Sequence, residues 1–137
     1  MNAILLTMFT HTSHGFKIDV QTEFDFLNSN PLRFHYLFKY TITITNTGLI
    51  PAQLLSRKWN IKDARGELKV VEGPGVIGHT PKFKAGETFT YSSFSPLPTL
   101  TGEMWGHFVM VDDENHRFKI ETPHFFFSVP EEFIDRY

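Results

Sequence analysis

Apolar and polar residues alternate with a period of two through most of the chain, the signature of strands with one buried face. In RFHYLFKYTITIT (33–45), Phe34, Tyr36, Phe38, Tyr40, Ile42 and Ile44 fall on one side, and Arg33, His35, Lys39, Thr41 and Thr43 on the other. FKIDVQTEF (16–24) sets Phe16, Ile18 and Val20 against Lys17, Asp19 and Gln21, and LNSNP supplies the turn between the two. They predict an antiparallel pair. NTG and Pro51 lead into AQLLSRKWNIKD (52–63), where the alternation predicts Leu55, Arg57, Trp59 and Ile61 on one face, and ARG turns the chain into ELKVVEG (67–73). GETFTYSSF, EMWGHFVMVDD and RFKIETPHFFFSVP give further strands, the last interrupted at Pro123, with PLPTLTG and DDENHR as connections. No stretch sustains a helical period.

About seven to eight short strands with turns at this spacing predict an all-β immunoglobulin/fibronectin type III-like antiparallel β-sandwich. Trp59, on the third of these strands, is placed to pack between the sheets. The organisation expected is an N-terminal leader or edge strand over residues 1–15, the sandwich over 16–130 and a tail over 131–137.

Composition narrows the chemistry. The 137 residues include no cysteine, which removes disulfides, thiolate nucleophiles and Cys-ligated zinc and fits a cytoplasmic location. With 13 basic against 15 acidic residues there is no cationic excess to drive nucleic-acid or anionic-membrane binding. The apolar start MNAILLTMF has no basic flank or cleavage site, and no apolar run approaches the roughly 20 residues of a membrane span. The expected partners therefore include neither nucleic acid nor membrane.

One motif carries candidate chemistry. EGPGVIGHTPKFKAGE holds Gly73, Gly75 and Gly78 in the spelling G-x-G-x-x-G of phosphate-cradling loops. A dinucleotide fold would follow it with a helix, but Pro81 and Gly86 break any helical continuation; a Walker loop would end in Lys and Ser or Thr, where this chain has His79. The kinase set is absent as well. Two readings remain: exposed amides forming an anion-binding concavity assisted by His79, Lys82 and Lys84, or glycines that allow a positive-φ crossover stiffened by Pro74.

The motifs together are specific. Leu55-Ser56-Arg57 with Trp59, the G-x-G-V-x-G loop followed by Pro81, the segment from Gly86 to Tyr91, and Gly102-x-Met104-x-Gly106 leading to Met110 resemble the ApaG family, or DUF525 domain, over residues 16–129. The resemblance implies a fibronectin type III-like sandwich, a small stand-alone bacterial protein, a link to cobalt and magnesium homeostasis, and no catalytic residues. It also implies pyrophosphate binding at Gly73, Gly75 and Gly78, and protein interaction by analogy with related eukaryotic domains. Phe94 stands where many members carry a glycine-cysteine type turn, so no thiol acts there.

Other groups carry chemistry of their own. His11 and His14 are spaced H-x-x-H without a carboxylate or third imidazole, and the remaining histidines are scattered, so no metal site or cofactor is predicted. Asp112, Asp113 and Glu114 offer hard oxygens for Mg²⁺ but read better as a solvated hairpin turn. Ser92, Ser93 and Ser95 lie in no nucleophile elbow. Arg57, on a buried strand face, has to pair with a carboxylate, stack on an aromatic, or reach an edge and meet an anion. Phe125, Phe126 and Phe127 cannot all share one face, so an outward ring could serve a homodimer or other protein contact.

The expectation is a non-catalytic binding module, monomeric or homodimeric, for a protein partner or a pyrophosphate-like anion, built on Gly73, Gly75, Gly78, His79, Lys82 and Arg57. The alternative is a metal-dependent phosphohydrolase or metal-handling accessory protein using His79 with Asp112, Asp113 and Glu114.

Overall fold

The computed structural model describes residues 7–134 and is an antiparallel β-sandwich of the predicted class. Its strands are β1 (Thr7–Ser13), β2 (Phe16–Phe24), β3 (Tyr36–Asn46), β4 (Ala52–Asp63), β5 (Leu68–Pro74), β6 (Lys82–Phe83), β7 (Thr88–Leu97), β8 (Thr101–Asp112), β9 (Arg117–Glu121) and β10 (Phe125–Ser128), followed by a single helical turn α1 (Glu131–Ile134). One sheet has the order β1-β2-β3-β7. The other runs β10-β8-β4-β5, with β9 also on β8 and β6 also on β4. Because β4 and β8 pair with each other, β5 and β6 share the outer edge of β4, and β9 and β10 the outer edge of β8. Each edge is thus one strand broken in the middle, which is why ten segments stand where fewer strands were expected.

The alternation dictates the layers. Tyr36, Phe38, Tyr40, Ile42 and Ile44 of β3 face inward onto Phe16, Ile18 and Val20 of β2 and onto Trp59, Phe108 and Met110 of the opposite sheet, all buried. Trp59 does pack between the sheets, edge-on to Tyr40, Phe108 and Phe125 at centroid distances of 5.9, 5.8 and 5.7 Å. Within the N-terminal segment Thr7–Ser13 form strand β1, joined to β2 by a tight turn at His14 and Gly15, both at positive φ; residues 1–6 of the expected leader or edge strand and 135–137 of the expected tail lie outside the described residues. Phe133 of α1 lies on Phe24 and Phe26.

Two local expectations are corrected. Phe34 is not part of the β3 alternation: it caps a short 3₁₀ turn (Pro31–Arg33) at φ 53° and is exposed, because the chain is still turning there. In β4, a β-bulge between Leu54 and Ser56 shifts the phase, so Leu54 is buried opposite Met110 while Leu55 is only half-buried. Beyond the bulge Arg57, Trp59 and Ile61 continue the inward face.

The two sides of the sandwich differ. On one, β10 packs on β2 and β1 on β9, with Phe9 against Phe125 and Phe38 stacked on Phe127. On the other, the sheets end in β5 and β7, and a recess of about 470 Å³ opens between them.

Candidate functional site

The bulge at Leu55 organises the glycine loop. The Leu55 carbonyl accepts the Gly75 N–H at 2.8 Å, and Val76 and His79 exchange backbone hydrogen bonds at 2.8 and 2.9 Å around Ile77 (φ 49°) and Gly78 (φ 74°). This is a two-residue hairpin of the type that requires positive φ at both central positions. Gly75 has φ 59°, and a Cβ there would collide with the His79 carbonyl. The loop amides of Gly75, Val76 and His79 therefore have main-chain partners, and the crossover geometry accounts for Gly75 and Gly78.

Gly73 serves a different need. A Cβ on it would lie 3.0 Å from Nη1 and 3.2 Å from Nη2 of Arg57, so the bare backbone makes room for the guanidinium. Arg57 Nη1 donates to the carbonyls of Pro74 and Gly75, both at 3.0 Å. The carboxylate partner considered for this cation is replaced by two main-chain oxygens, and no ion pair found among the described residues includes Arg57. The charge is oriented without being neutralised, with Nε and Nη2 outside these bonds.

Arg57 lines the recess between β5 and β7, together with Tyr40, Trp59, Ile61, Ser93 and Ser95. The β7 wall is unusual for a sandwich interior. Tyr91, Ser93 and Ser95 occupy the inward positions between Phe89 and Leu97, so three polar residues take sites that burial would give to apolar ones. The Tyr91 phenol oxygen and Ser95 Oγ are buried without a hydrogen-bond partner. Desolvation pushes the Tyr91 phenol well above the usual tyrosine value, the neighbouring Tyr40 adds to the push, and the Arg57 charge opposes it. Tyr40 is raised by burial too, against the pull of the Ser93 hydroxyl and Arg57.

The residues singled out from sequence do not converge on one spot. Arg57 and Gly73 meet at the recess. Lys82 and Lys84 line a separate depression of about 380 Å³ that also includes Asp112 and Asp113, since β6 and the end of β8 flank β4 at Ala52. His79 is exposed on the hairpin, 5.9 Å from the ring of Phe89. Asp112 Oδ1 accepts the N–H groups of Glu114 and His116, both at 2.9 Å, the expected hairpin turn; those backbone bonds, the one from His116 foremost, hold its carboxyl below the usual range. Among the described residues no three His, Asp or Glu side chains gather to hold a metal ion. Phe125 and Phe127 point inward, and Phe126 points outward, stacked on His124, which stacks in turn on Trp105 and meets Glu103 at 2.9 Å.

Tyr40, Tyr91, Ser93 and Ser95 were not singled out from sequence as site residues. The signal was present: in TFTYSSFSPL the inward phase of the strand reads Phe, Tyr, Ser, Ser, Leu, with polar residues at its centre.

Known proteins bear on this arrangement. The family model described as DUF525, ApaG domain, matches residues 27–112. A Protein ApaG of Bdellovibrio bacteriovorus is 47% identical over 102 residues, 74% of this chain and 80% of the relative. A Protein ApaG of Vibrio cholerae is 43% identical over 114 residues, 83% and 90% respectively. A crystal structure from Bordetella pertussis, described as an ApaA protein, superposes with a TM-score of 0.82 at 37% identity, covering 85% of this chain and 94% of that one. The C-terminal domain of wzt shares the fold alone, at a TM-score of 0.53 and 11% identity.

Proposed function

The chain belongs to the ApaG family, and from that membership we propose that it works in the cytoplasm as a binding module without catalysis of its own, recognising an anionic group at the recess between β5 and β7. One observation carries the reading: the Arg57 guanidinium is fixed by two carbonyls, meets no carboxylate, and shares the recess with the unpartnered Ser95 hydroxyl. A planar guanidinium with a free edge suits bidentate binding of a carboxylate or phosphate. The glycine motif supports this indirectly. Its carbonyls hold Arg57 and its missing Cβ at Gly73 leaves space for the cation, whereas the amides of Gly75, Val76 and His79 donate to main-chain carbonyls.

The absence of catalysis is part of the proposal. Asp63 and Glu67 line the recess, but among the described residues no hydrogen bond joins Tyr40, Tyr91, Ser93 or Ser95 to a carboxylate or imidazole, the pairing that activates a nucleophile. The metal-dependent alternative has no comparable support, because His79 and the Asp112 turn gather no set of ligands.

The test is calorimetric titration with inorganic pyrophosphate at low salt, on the parent chain, on Arg57→Ala, and on Lys82→Ala with Lys84→Ala. Saturable binding lost in Arg57→Ala and kept in the double variant is expected. Binding that follows the two lysines instead would transfer the site to the other depression and refute the role of Arg57.

A further inference from the structure

The recess is larger and more apolar than an inorganic anion needs, and that excess bears on what binds. Its volume of about 470 Å³ lies in the range of drug-sized ligand pockets, roughly 300–1,000 Å³, and is several times what pyrophosphate fills. Away from Arg57 its floor is made by Trp59, Ile61, Met104 and Leu97 and by the body of Tyr40, with Val71 on the β5 wall. Tyr40 and Trp59 meet edge to face there at an interplanar angle of 64°, so the floor is partly built of aromatic rings. On the rims, Leu68 and Phe94 are 56% and 52% exposed, large apolar side chains at the mouth of the recess.

The charges are arranged end to end. Arg57 and Asp63 are both on β4, six positions apart, which along a strand is roughly 20 Å. Between them come Trp59 and Ile61, and at the Asp63 end Glu67 also lines the recess, with Lys69 as a second cation on the β5 wall. Asp63 Oδ1 is committed to the turn, accepting the N–H groups of Arg65 and Glu67 at 2.8 and 3.1 Å. An anion is thus welcome at one end and, at the other, opposed by two carboxylates that Lys69, paired across the strands with Ile61, offsets in part. Polyphosphates long enough to span the recess would meet that opposition.

We infer that the recess takes an amphipathic acid: a single carboxylate or phosphate seated on Arg57, joined to a flat apolar body lying on Trp59, Tyr40 and Ile61. This rests on the anion reading above and names the class of ligand. Each part of the recess then has an occupant. The free Nε and Nη2 edge of Arg57 takes two oxygens, and the apolar floor is covered. Charge favours this orientation, because the Arg57 end has no carboxylate whereas the reverse pose would place the acid beside Asp63 and Glu67 as well as Lys69.

The test uses the intact chain and four probes: 1-naphthyl phosphate, 2-naphthoate, inorganic phosphate and inorganic pyrophosphate. Affinity is read by calorimetry and pose by the change in tryptophan fluorescence, compared with Trp105→Phe, which leaves Trp59 as the only tryptophan. The aryl acids are expected to bind at least about tenfold more tightly than either inorganic anion, to change the emission of Trp59, and to lose that advantage in Arg57→Ala. Arg57→Lys, which retains charge but not the planar fork, is expected to fall between, and it guards against a fold defect in the alanine variant. Equal or tighter binding of pyrophosphate than of 1-naphthyl phosphate would overturn this inference and leave the anion reading standing. Aryl acids that bind equally well to Arg57→Ala would overturn it as well. Failure of all four probes to bind the parent chain would remove both.

Discussion

The sandwich has one sealed side and one open side, and they are built from different residues. At the sealed side rings meet rings: Phe9 with Phe125 and Phe126, Phe38 with Phe127, Phe24 with Phe133, and the buried polar group nearby, Thr122, is fully engaged, accepting the Gly106 N–H and donating to the Pro123 carbonyl, both at 3.0 Å. At the open side the inner face carries Arg57, Tyr91, Ser93 and Ser95, and two of its hydroxyls have no partner. Both sides are bounded by the same kind of broken edge strand. The contrast teaches that the chain can close a sandwich edge with aromatics and does so once. The polar opening is a departure from packing rules at one place, where function is the usual reason to accept the cost.

The comparison can be broken most forcefully from the sealed side. Phe125→Ala removes a ring that is fully buried and touches Phe9, Tyr40, Trp59 and Phe127, and is expected to cost about 3–5 kcal/mol, measured by urea denaturation. At the open side Gly75→Ala comes next, at about 1–3 kcal/mol, because the new methyl group meets the His79 carbonyl at a positive φ; the same variant should weaken anion binding by loosening the carbonyls that hold Arg57.

A finer pair sets the two sides against each other directly. Thr122→Val leaves the buried Gly106 N–H without its hydroxyl acceptor and should destabilise by about 1–2 kcal/mol, whereas Tyr91→Phe deletes a hydroxyl that has no partner and should be neutral or stabilising by up to about 1 kcal/mol. Thermal unfolding would show a lowered Tm for Thr122→Val and an unchanged or raised one for Tyr91→Phe. Equal losses would mean that the Tyr91 hydroxyl is structurally engaged and that the open side is ordinary core.

The smallest effect is a pH slope. Unfolded tyrosines release their protons near pH 10, but burial makes folded Tyr91 keep its proton well above that. The unfolded state then binds fewer protons than the native one, so stability is unchanged below about pH 10 and falls as pH rises past it. Tyr91→Phe should flatten that alkaline decline, seen as a smaller drop in Tm between pH 9 and 11.

Most of the fold was legible because burial in a sandwich writes itself as a period of two. Phe16, Ile18, Val20, Tyr36 through Ile44 on alternate positions, and Trp59 all face where the alternation put them. Phe34 and Leu55 did not, and both misses have a local cause: a left-handed cap in one case and a bulge in the other, each changing the phase without leaving a mark in hydropathy. The site was less legible for a related reason. The G-x-G-x-x-G spelling draws attention to amides, but those of Gly75, Val76 and His79 donate to main-chain carbonyls around the hairpin, and the side chain the loop presents to the recess is the Arg57 guanidinium that its carbonyls hold. Arg57 and Gly73 come together only through the β4–β5 register, which pairs them across the strands. Lys82, nine residues after Gly73 on the next strand, falls on the far side of the same loop, in the depression that includes Asp112.

The central claim is that the open side of the sandwich is a binding site centred on Arg57. Its most direct test is an NMR titration of the uniformly ¹⁵N-labelled chain with 1-naphthyl phosphate, following the Arg57 Nε–H resonance together with the amides of Gly73, Gly75, Ser93, Ser95 and Lys82. The account predicts saturable shifts centred on Arg57 Nε–H, Ser93 and Ser95, smaller ones at Gly73 and Gly75, and a still Lys82. Shifts that gather at Lys82 and leave Arg57 and Ser95 unmoved, or no shifts at millimolar ligand, would contradict it.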